Sequence, residues 1–599
     1  MKKVSDVIIS HLASLGVDVV FMLPGGGSMH LVDSLGREPR LSYVVNLHEQ
    51  ACAIAAEAYG QFSNHLGVAL VTTGPGGTNA LTGVAAAWLE STPCIFISGQ
   101  VKRDDLKGDR GVRQFGFQEI DIVAMVQSIT KYAVTVTEPN RVLYHLQKAC
   151  HLATSGRPGP VWLDIPLDVQ GAQIDERQLL PFNVRPVVES SENLIEPVRR
   201  TIKLLNSAER PVVLVGNGVR LAKAEDELAA AISRLNVPVL TTWKALDLFR
   251  DDEPLFCGSP GAIGQRGANF VQQNADWILT LGARLDLGQT GYSHEGFARG
   301  AHKVIVDVDP AEIRKLKTEI AVPVAADAGD FLKELNRQSG LISKVDRTCW
   351  IQQCQTWKNR YPVVLPEYWS YNDGVSLYVL IDVLSELLRD GDLLVPGSSG
   401  ACSEVTMQAF RVRSRVRVLN SQGIGAMGFG VPAVIGACLA SGKSRTICVD
   451  GDGGFWMNIQ DLETVRRLEL PAKFFVLNNN GYASIRATQL NHFGGFFAGS
   501  GPDSGLTLPD IGGVCDAFGV GVFRLEGHKD IRDRVREVLE SSGPAVCEVM
   551  VSPRQMTAPR LSSTRQPDGR MVSKPLEDLA PFLDREEFRK NMLTHTKSD

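Results

Sequence analysis

The stretch Val449–Phe455 reads VDGDGGF and places two aspartates among three glycines, directly after an apolar run typical of a buried strand. A helical pattern and a second apolar run follow, and the next turn reads LNNNGY over residues 477–482. Because the carboxyl ends of parallel strands meet at one edge of a sheet, Asp452 and Asn479 are expected to end neighbouring strands and face one point. Taken alone, the first turn reads most simply as a tight turn with a helix cap.

The two turns together indicate a site for a metal ion and a diphosphate. Mg²⁺ prefers octahedral oxygen ligands and is often shared between carboxylates and phosphates. We expect Asp452, the side chain of Asn479 and the carbonyl of Gly481 to bind it. Gly453 and Gly454 open a helix, and the free N–H groups of a helix start suit a diphosphate.

Short apolar runs alternate with helical patterns along all 599 residues. Continuous β-branched runs are typical of parallel sheets covered on both faces, so the sequence predicts an α/β protein. Two polar, structure-poor connections, at about 171–193 and 340–373, divide the runs into three sets. The predicted units are domains over 1–170, 190–340 and 372–552, each a mostly parallel sheet with helices on both faces, and an extended C-terminal arm over 553–599 that ends in a short helix.

Composition excludes several classes of function. The formal net charge is −5 and no basic run occurs, so a nucleic-acid partner is not expected. No apolar run is long enough to span a bilayer, and the amino-terminal residues form an amphipathic pattern unlike a signal peptide. Eleven scattered cysteines without a Cys-x-x-Cys pair predict reduced thiols and a cytoplasmic location.

The pair of turns resembles the thiamine-diphosphate signature. Three further segments are similar to the acetolactate synthase group: NLHEQACAIAAEAYG at 46–60, VTTGPGGTNALTGVAAAWLESTPCIFISGQV at 71–101 and SQGIGAMGFGVPAVIGA at 421–437. The resemblance extends from about residue 4 to about residue 550. It implies an enzyme that uses thiamine diphosphate and Mg²⁺, with pyrimidine-binding, central and diphosphate-binding domains in that order.

The resemblance also assigns roles to single residues. Glu49 should form a hydrogen bond with the pyrimidine nitrogen N1′ from a buried pocket, because burial of the carboxyl group favours proton sharing. A lone glutamate at this position would also suit a helix cap. Met427 should wedge under the bent cofactor, although methionine more often fills a core. Gln118 should line the substrate pocket. The other expected cofactor contacts are Gly25, Pro75, Asn79, Gly400, Ala401, Cys402, Gly425, Gly453 and Gly454.

The implied reaction is carboligation, in which a 2-oxo acid, pyruvate first, loses CO₂ and its acyl-anion equivalent joins a carbonyl acceptor. A 2-oxo acid decarboxylase, a diketone hydrolase and a non-catalytic scaffold are the alternatives. Leu167 and Thr488 stand where acetolactate synthases carry lysine and tryptophan. Both replacements favour a different, wider acceptor pocket, and a keto-sugar is one candidate.

Three features of the sequence allow more than one interpretation. The stretches 216–220 and 258–267, with Arg284 and Asp286, suit either a flavin (FAD) site or structural turns, since short Gly motifs discriminate poorly. The family's site lies between subunits, which implies a homodimer or homotetramer. The C-terminal arm either offers Arg560, Arg565 or Arg570 to a phosphate-bearing acceptor or only strengthens the dimer.

Overall fold

The computed structural model describes residues 1–184 and 192–594. Its first domain is built on a sheet of six parallel strands. Val68 and Leu70 pack on one face of this sheet, and Ala69 and Val71 pack on the other. Because both faces are buried, the strands are continuously apolar. In spatial order they are Ser42–Val45, Val19–Met22, Gly67–Val71, Cys94–Gln100, Pro160–Pro166 and Tyr132–Thr135.

The helices of the first domain alternate with its strands along the chain. Two of them, Glu49–Ser63 and Pro75–Glu90, pack against each other. The ideal Cβ of Gly83 would lie 2.4 Å from the Cβ of Ala53, so glycine is required for this close approach. The remaining helices are Val4–Ser14, Met29–Arg37, Ile122–Val126, Val142–Thr154 and Leu167–Gly171.

The central domain has a sheet of five parallel strands, again buried on both faces. Val213 and Val215 belong to one core, whereas Val212 and Leu214 belong to the other. In spatial order the strands are Val239–Thr241, Pro211–Val215, Trp277–Leu281, His302–Asp307 and Val322–Ala325. The helices are Glu192–Ser207, Gly218–Leu221, Glu225–Leu235, Arg266–Asn274, Pro310–Arg314 and Ala328–Arg337.

The third domain repeats the six-stranded parallel arrangement of the first. Its strands are Arg417–Val418, Leu393–Pro396, Thr446–Gly451, Ala472–Asn478, Ala545–Met550 and Gly521–Leu525 in spatial order. Its helices are Leu377–Leu387, Ala401–Ala409, Gly430–Ala440, Asp452–Phe455, Leu462–Arg467, Ala483–His492, Ile511–Ala517 and Ile531–Glu540. The predicted α/β fold with three mostly parallel sheets is therefore confirmed.

The first and third domains share one hydrophobic core. Helix Glu49–Ser63 packs directly on helix Gly430–Ala440. The ideal Cβ of Gly436 would lie 2.0 Å from the carbonyl oxygen of Ala55, so the two backbones touch where glycine stands. Small residues on both helices therefore fix how the two sheets face each other.

The C-terminal arm is anchored on the central domain. Leu579 is fully buried, and its carbonyl accepts a hydrogen bond from Arg266 at 3.1 Å. The buried carboxylate of Glu577 pairs with Arg299 at 2.7 Å. The arm contains an antiparallel ribbon, Ser563–Arg565 with Met571–Ser573, and a short helix, Arg585–Lys590. This docking was not expected from the sequence.

The two predicted connections differ in outcome. Residues 185–191 of the first lie outside the described residues. The second is not structure-poor, because it contains the helix Thr348–Arg360. Trp350 and Trp357 of this helix are buried against the central domain, and Trp357 Nε1 donates to Asn591 Oδ1 of the arm at 2.8 Å. Tryptophan and cysteine at helical spacing were the available signal for this helix.

The structure also describes the longest apolar helices and the cysteines. Within residues 1–184 and 192–594, no helix is long and apolar enough to cross a membrane. All eleven cysteines are free thiols, and only Cys349 is exposed.

Candidate active site

Asp452 joins the ends of two neighbouring parallel strands. It follows strand Thr446–Gly451, which pairs with strand Ala472–Asn478. Its carboxylate is only 2% exposed. Oδ1 accepts the N–H of Gly453 at 2.8 Å, and Oδ2 accepts the N–H groups of Asn479 at 3.0 Å and Gly481 at 3.1 Å. The structure thus brings Asp452, Asn479 and Gly481 to one point.

The oxygen atoms at this point suit a cation. Burial raises the pKa of Asp452 to about 6, although its backbone hydrogen bonds oppose the shift. The side-chain oxygen of Asn479 is buried and has no hydrogen-bond partner. Such an atom costs about 1–3 kcal/mol unless a ligand satisfies it. The described residues contain no cluster of three His, Cys, Asp or Glu side chains for a metal. One carboxylate, one amide and one carbonyl instead fit Mg²⁺ shared with phosphate oxygens.

Glycines clear the space around this edge of the sheet. The ideal Cβ of Gly453 would lie 2.4 Å from the ring of Tyr482 and 3.0 Å from Cε of Met427. Gly400 has φ of 72° and precedes helix Ala401–Ala409, and its ideal Cβ would lie 2.6 Å from the hydroxyl of Ser484. Any side chain at these positions would fill the space beside the helix start.

The segment that holds Gly425 and Met427 approaches this edge at Ser398 and at Gly453. Gly425 has φ of 61°, and its ideal Cβ would lie 3.3 Å from the carbonyl oxygen of Ser398. Met427 is half-buried and is not part of the hydrophobic core, so the core-filler interpretation does not hold. We call Gly400, Ala401, Gly425, Met427 and the Asp452, Asn479 and Gly481 turns the third-domain half-site.

Asp450 is a buried carboxylate that the sequence reasoning left unassigned. Burial raises its pKa to about 7, and its Oδ2 has no hydrogen-bond partner. The ideal Cβ atoms of Gly397, Gly430 and Gly454 would lie 2.2, 2.4 and 2.7 Å from its oxygens. Gly454 therefore makes room for Asp450. The spacing of two aspartates around one glycine was the signal for this second carboxylate.

Cys402 belongs to the same buried layer. Its thiol donates to the carbonyl of Ser399 at 2.9 Å and lies 4.0 Å from Asp450 Oδ1. Burial raises the pKa of this thiol. Only its backbone N–H, in the first turn of helix Ala401–Ala409, remains suited to a phosphate.

Glu49 lies at the corresponding edge of the first domain. It is 7% exposed, and its Oε2 accepts a hydrogen bond from Asn79 Nδ2 at 3.0 Å. The helix cap is His48, whose Nδ1 accepts the N–H of Gln50 at 3.1 Å. The alternative assignment of Glu49 as a cap is therefore wrong, and its carboxylate has another use.

The remaining first-domain residues gather around Glu49. The ideal Cβ of Gly76 would lie 3.7 Å from Glu49 Oε1 and 2.9 Å from Thr72, which also packs against Gly25. Pro75 stands at the start of helix Pro75–Glu90. We call Gly25, Glu49, Pro75, Asn79 and Gln118 the first-domain half-site.

Gln118 reaches this half-site through a strained loop. It is exposed and has φ of 60°, which is unusual for a residue other than glycine. Its carbonyl oxygen would lie 2.3 Å from an ideal Cβ on Gly74, the residue before Pro75. Strain of this kind is common at ligand-binding sites.

A large cavity opens beside the central domain. Its volume is about 1170 Å³. The wall includes Gly218 and Gly282, whose backbones touch, because the ideal Cβ of Gly218 would lie 2.6 Å from Gly282 Cα. Arg284 has φ of 54° and pairs with Asp286 at 3.2 Å. Residues 260–264 and Trp243 complete this wall.

Comparison with known proteins identifies the family. Three models match in order: the thiamine pyrophosphate enzyme N-terminal TPP-binding domain over residues 2–125, the central domain over 198–335 and the C-terminal TPP-binding domain over 398–549. Acetolactate synthase 2 from Zea mays is 32% identical over 573 residues, covering 94% of this chain and 87% of that protein.

Two other organisms carry similar proteins. The acetolactate synthase large subunit of Cyanidium caldarium is 30% identical and covers 94% of this chain and 96% of its own length. The probable large subunit of Methanococcus aeolicus is 30% identical, with 92% of both chains covered. The chain therefore belongs to the thiamine-diphosphate-dependent enzymes of the acetolactate synthase type.

Proposed function

We propose that this enzyme is a carboligase that decarboxylates a 2-oxo acid, pyruvate first, and transfers the acyl-anion equivalent to a carbonyl acceptor larger than pyruvate. CO₂ leaves, one carbon–carbon bond forms, and no external oxidant or reductant is needed. The observation that carries the proposal is the third-domain half-site, where a buried carboxylate and an unpartnered amide oxygen meet at one edge. Thiamine diphosphate, when bound, supplies the carbanion chemistry.

The chain's own residues hold and orient that group. Asp452, Asn479 and the Gly481 carbonyl would hold Mg²⁺, and the backbone around Gly400 and Gly453 would receive the diphosphate. Glu49 would share a proton with the pyrimidine nitrogen N1′. Asn79 fixes the orientation of that carboxylate through its hydrogen bond at 3.0 Å.

Large apolar side chains flank both half-sites and support a dimer. Phe117, next to Gln118, is 85% exposed. Phe493 and Phe496, which follow helix Ala483–His492, are also exposed. Large exposed apolar side chains beside a site are common on interaction surfaces. We propose that a homodimer covers them and that the two half-sites of one active site come from different subunits.

Thr488 is the main support for a wider acceptor pocket. It is exposed on helix Ala483–His492, and its hydroxyl donates to the carbonyl of Ser484, one turn earlier. Ser484 itself faces Gly400 at the start of helix Ala401–Ala409. A threonine one turn beyond the third-domain half-site leaves room that an indole would fill, and a keto-sugar is a candidate for that space.

The C-terminal arm gives weaker support than Thr488 for a large acceptor. Its residues 576–594 are docked on the central domain, and its exposed ribbon holds Arg570, which pairs with Asp568 at 2.6 Å. Arg560 pairs through its backbone with Ala580.

FAD is the proposed occupant of the central cavity. The volume of about 1170 Å³ exceeds the usual range for small-ligand pockets, as a dinucleotide requires. Touching glycine backbones and the positive φ of Arg284 and Leu285 are typical of ligand-shaped loops. The predicted Asn217, Arg284, Asp286 and residues 260–264 all line it.

The acceptor is tested with Thr488→Trp. The purified enzyme is supplied with pyruvate, with and without keto-sugars and small aldehydes, while CO₂ and products are followed by mass spectrometry. We expect wild type to ligate the large acceptor. The variant should lose at least about 10-fold in that ligation while CO₂ release continues, because an indole adds bulk that only the acceptor meets. Release of free aldehyde alone, or equal ligation of the large acceptor by both proteins, contradicts the proposal.

The metal site is tested with Asp452→Ala. Without its carboxylate, the edge cannot balance the charge of Mg²⁺ and diphosphate, so thiamine diphosphate affinity should fall by about 100-fold or more. Calorimetry with and without Mg²⁺ measures this directly. Asp330→Ala removes an exposed carboxylate of the central domain and serves as the matched control. Undiminished Mg²⁺-dependent binding by Asp452→Ala would return the turn to a purely structural role.

Flavin is tested by fluorescence titration of the apo-protein with FAD. Arg284→Ala should weaken binding by about 10-fold, because its guanidinium is a charged group on the cavity wall, two residues after Gly282. Arg337→Ala, on the exposed side of the same domain, is the control. Absence of FAD binding by wild type would remove flavin from the proposal and leave the thiamine site untouched.

A further inference from the structure

Residues 423–428, which we call the Met427 segment, need contacts with other parts of the protein to hold one conformation. Gly425 and Gly428 have φ of 61° and 86°, and Gly423 adds a third glycine around Met427. Glycine lowers the cost of these conformations but leaves many others open. The position of Met427 therefore depends on what fixes the segment at its two ends.

Both ends are tied to the first domain. At Gly428, the carbonyl accepts a hydrogen bond from Asn458 Nδ2 at 2.7 Å, and the same amide donates to Gln50 Oε1 at 2.9 Å. At Gly423, the N–H donates to Glu90 Oε1 at 2.5 Å. The ideal Cβ of Gly423 would lie 2.8 Å from Leu89 Cβ, so the backbone rests directly on the end of helix Pro75–Glu90.

Lys244 of the central domain holds the Glu90 carboxylate in place. Its ammonium donates to Glu90 Oε2 at 2.6 Å and to the carbonyl of Asn420 at 3.0 Å. The side chains of Glu90 and Lys244 are 3% and 18% exposed. A nearly buried ion pair keeps its geometry better than a surface pair, and removing one partner leaves a costly uncompensated charge.

The geometry assigns Glu90 and Lys244 the role of positioning residues that set the conformation of the Met427 segment, and through it the reactivity of the bound thiamine ring. The inference rests on the proposed role of Met427. Glu90 ends the helix that begins at Pro75 and carries Asn79, the partner of Glu49. One helix thus contributes to both half-sites, and all three domains meet at its last residue.

The test uses three variants at the junction. Glu90→Ala removes the acceptor for Gly423 N–H. Glu90→Gln keeps one acceptor oxygen, which can serve either Gly423 N–H or Lys244 but not both, so it should rescue only part of the effect. Glu90→Met combined with Lys244→Met removes both charges together, which proteins tolerate better than a single unpaired charge, and so guards against misfolding. Glu334→Ala is the matched control, because Glu334 is also a buried carboxylate paired with an arginine but lies wholly within the central domain.

Two readouts separate positioning from bulk stability. Hydrogen–deuterium exchange of the apo-protein should be about 10-fold faster in the 421–428 peptide of Glu90→Ala and of the double variant, since the tie at Gly423 is lost. With cofactor and Mg²⁺ bound, C2 proton exchange of thiamine diphosphate should slow by about 10- to 100-fold in the same two variants, as expected for a misplaced group. Affinity for the cofactor should change little.

The possible outcomes distinguish failure of the positioning role from failure of the proposed role of Met427. Equal C2 exchange in Glu90→Ala, the double variant and Glu334→Ala overturns the positioning role. Slowed C2 exchange in a Glu90→Gln protein whose 421–428 peptide exchanges at the wild-type rate also overturns it, because the lost charge and not the tie to Gly423 would then matter. Met427→Ala tests the underlying function separately: if Met427→Ala exchanges C2 at the wild-type rate, the proposed role of Met427 is wrong and the inference falls with it.

Discussion

The structure depends on one carboxylate shared between two strand ends. Asp452 accepts N–H groups from its own turn and from the turn after the neighbouring strand, and it does so with almost no access to water. This arrangement holds the Asn479 and Gly481 oxygens toward one point. It also leaves the buried amide oxygen of Asn479 unsatisfied. Together with the buried Asp452 carboxylate and the Gly481 carbonyl, this free oxygen fits the cation and phosphate partner proposed above.

The arrangement of Asp452, Asn479 and Gly481 can be predicted from the sequence, because it depends on segments that are close together in the chain. A strand, a Gly-Asp-Gly turn, a helix and a second strand have only one common arrangement in a parallel sheet, which places the two turns side by side. Continuous apolar runs likewise predict sheets buried on both faces. Glu49, in contrast, was assigned through resemblance. The structure adds that His48 caps the helix and that Asn79 orients the Glu49 carboxylate.

What the sequence did not reveal consists of contacts between distant segments. Asp450 sits among three glycines from separate segments of the third domain. Glu90 and Lys244 meet only because three domains converge. The arm's Glu577 and Leu579 find partners on the central domain about 280 to 310 residues earlier in the chain. No short pattern records such pairs, since each residue alone has an ordinary surface or core interpretation. Glu90, Lys244 and Gly423 all line the central cavity. The junction that they form therefore connects this cavity with the Met427 segment.

The central proposal is that one active site needs two half-sites and that different chains of a homodimer supply them. Glu49→Gln chains and Asp452→Ala chains, each expected to be inactive alone, are combined into purified heterodimers with two affinity tags, and carboligation is measured. One of the two sites would then carry both substitutions and the other neither, so activity should return to about half that of wild type. If the heterodimer is as inactive as its parents, each site carries one defect, and the half-sites of a single chain must serve each other.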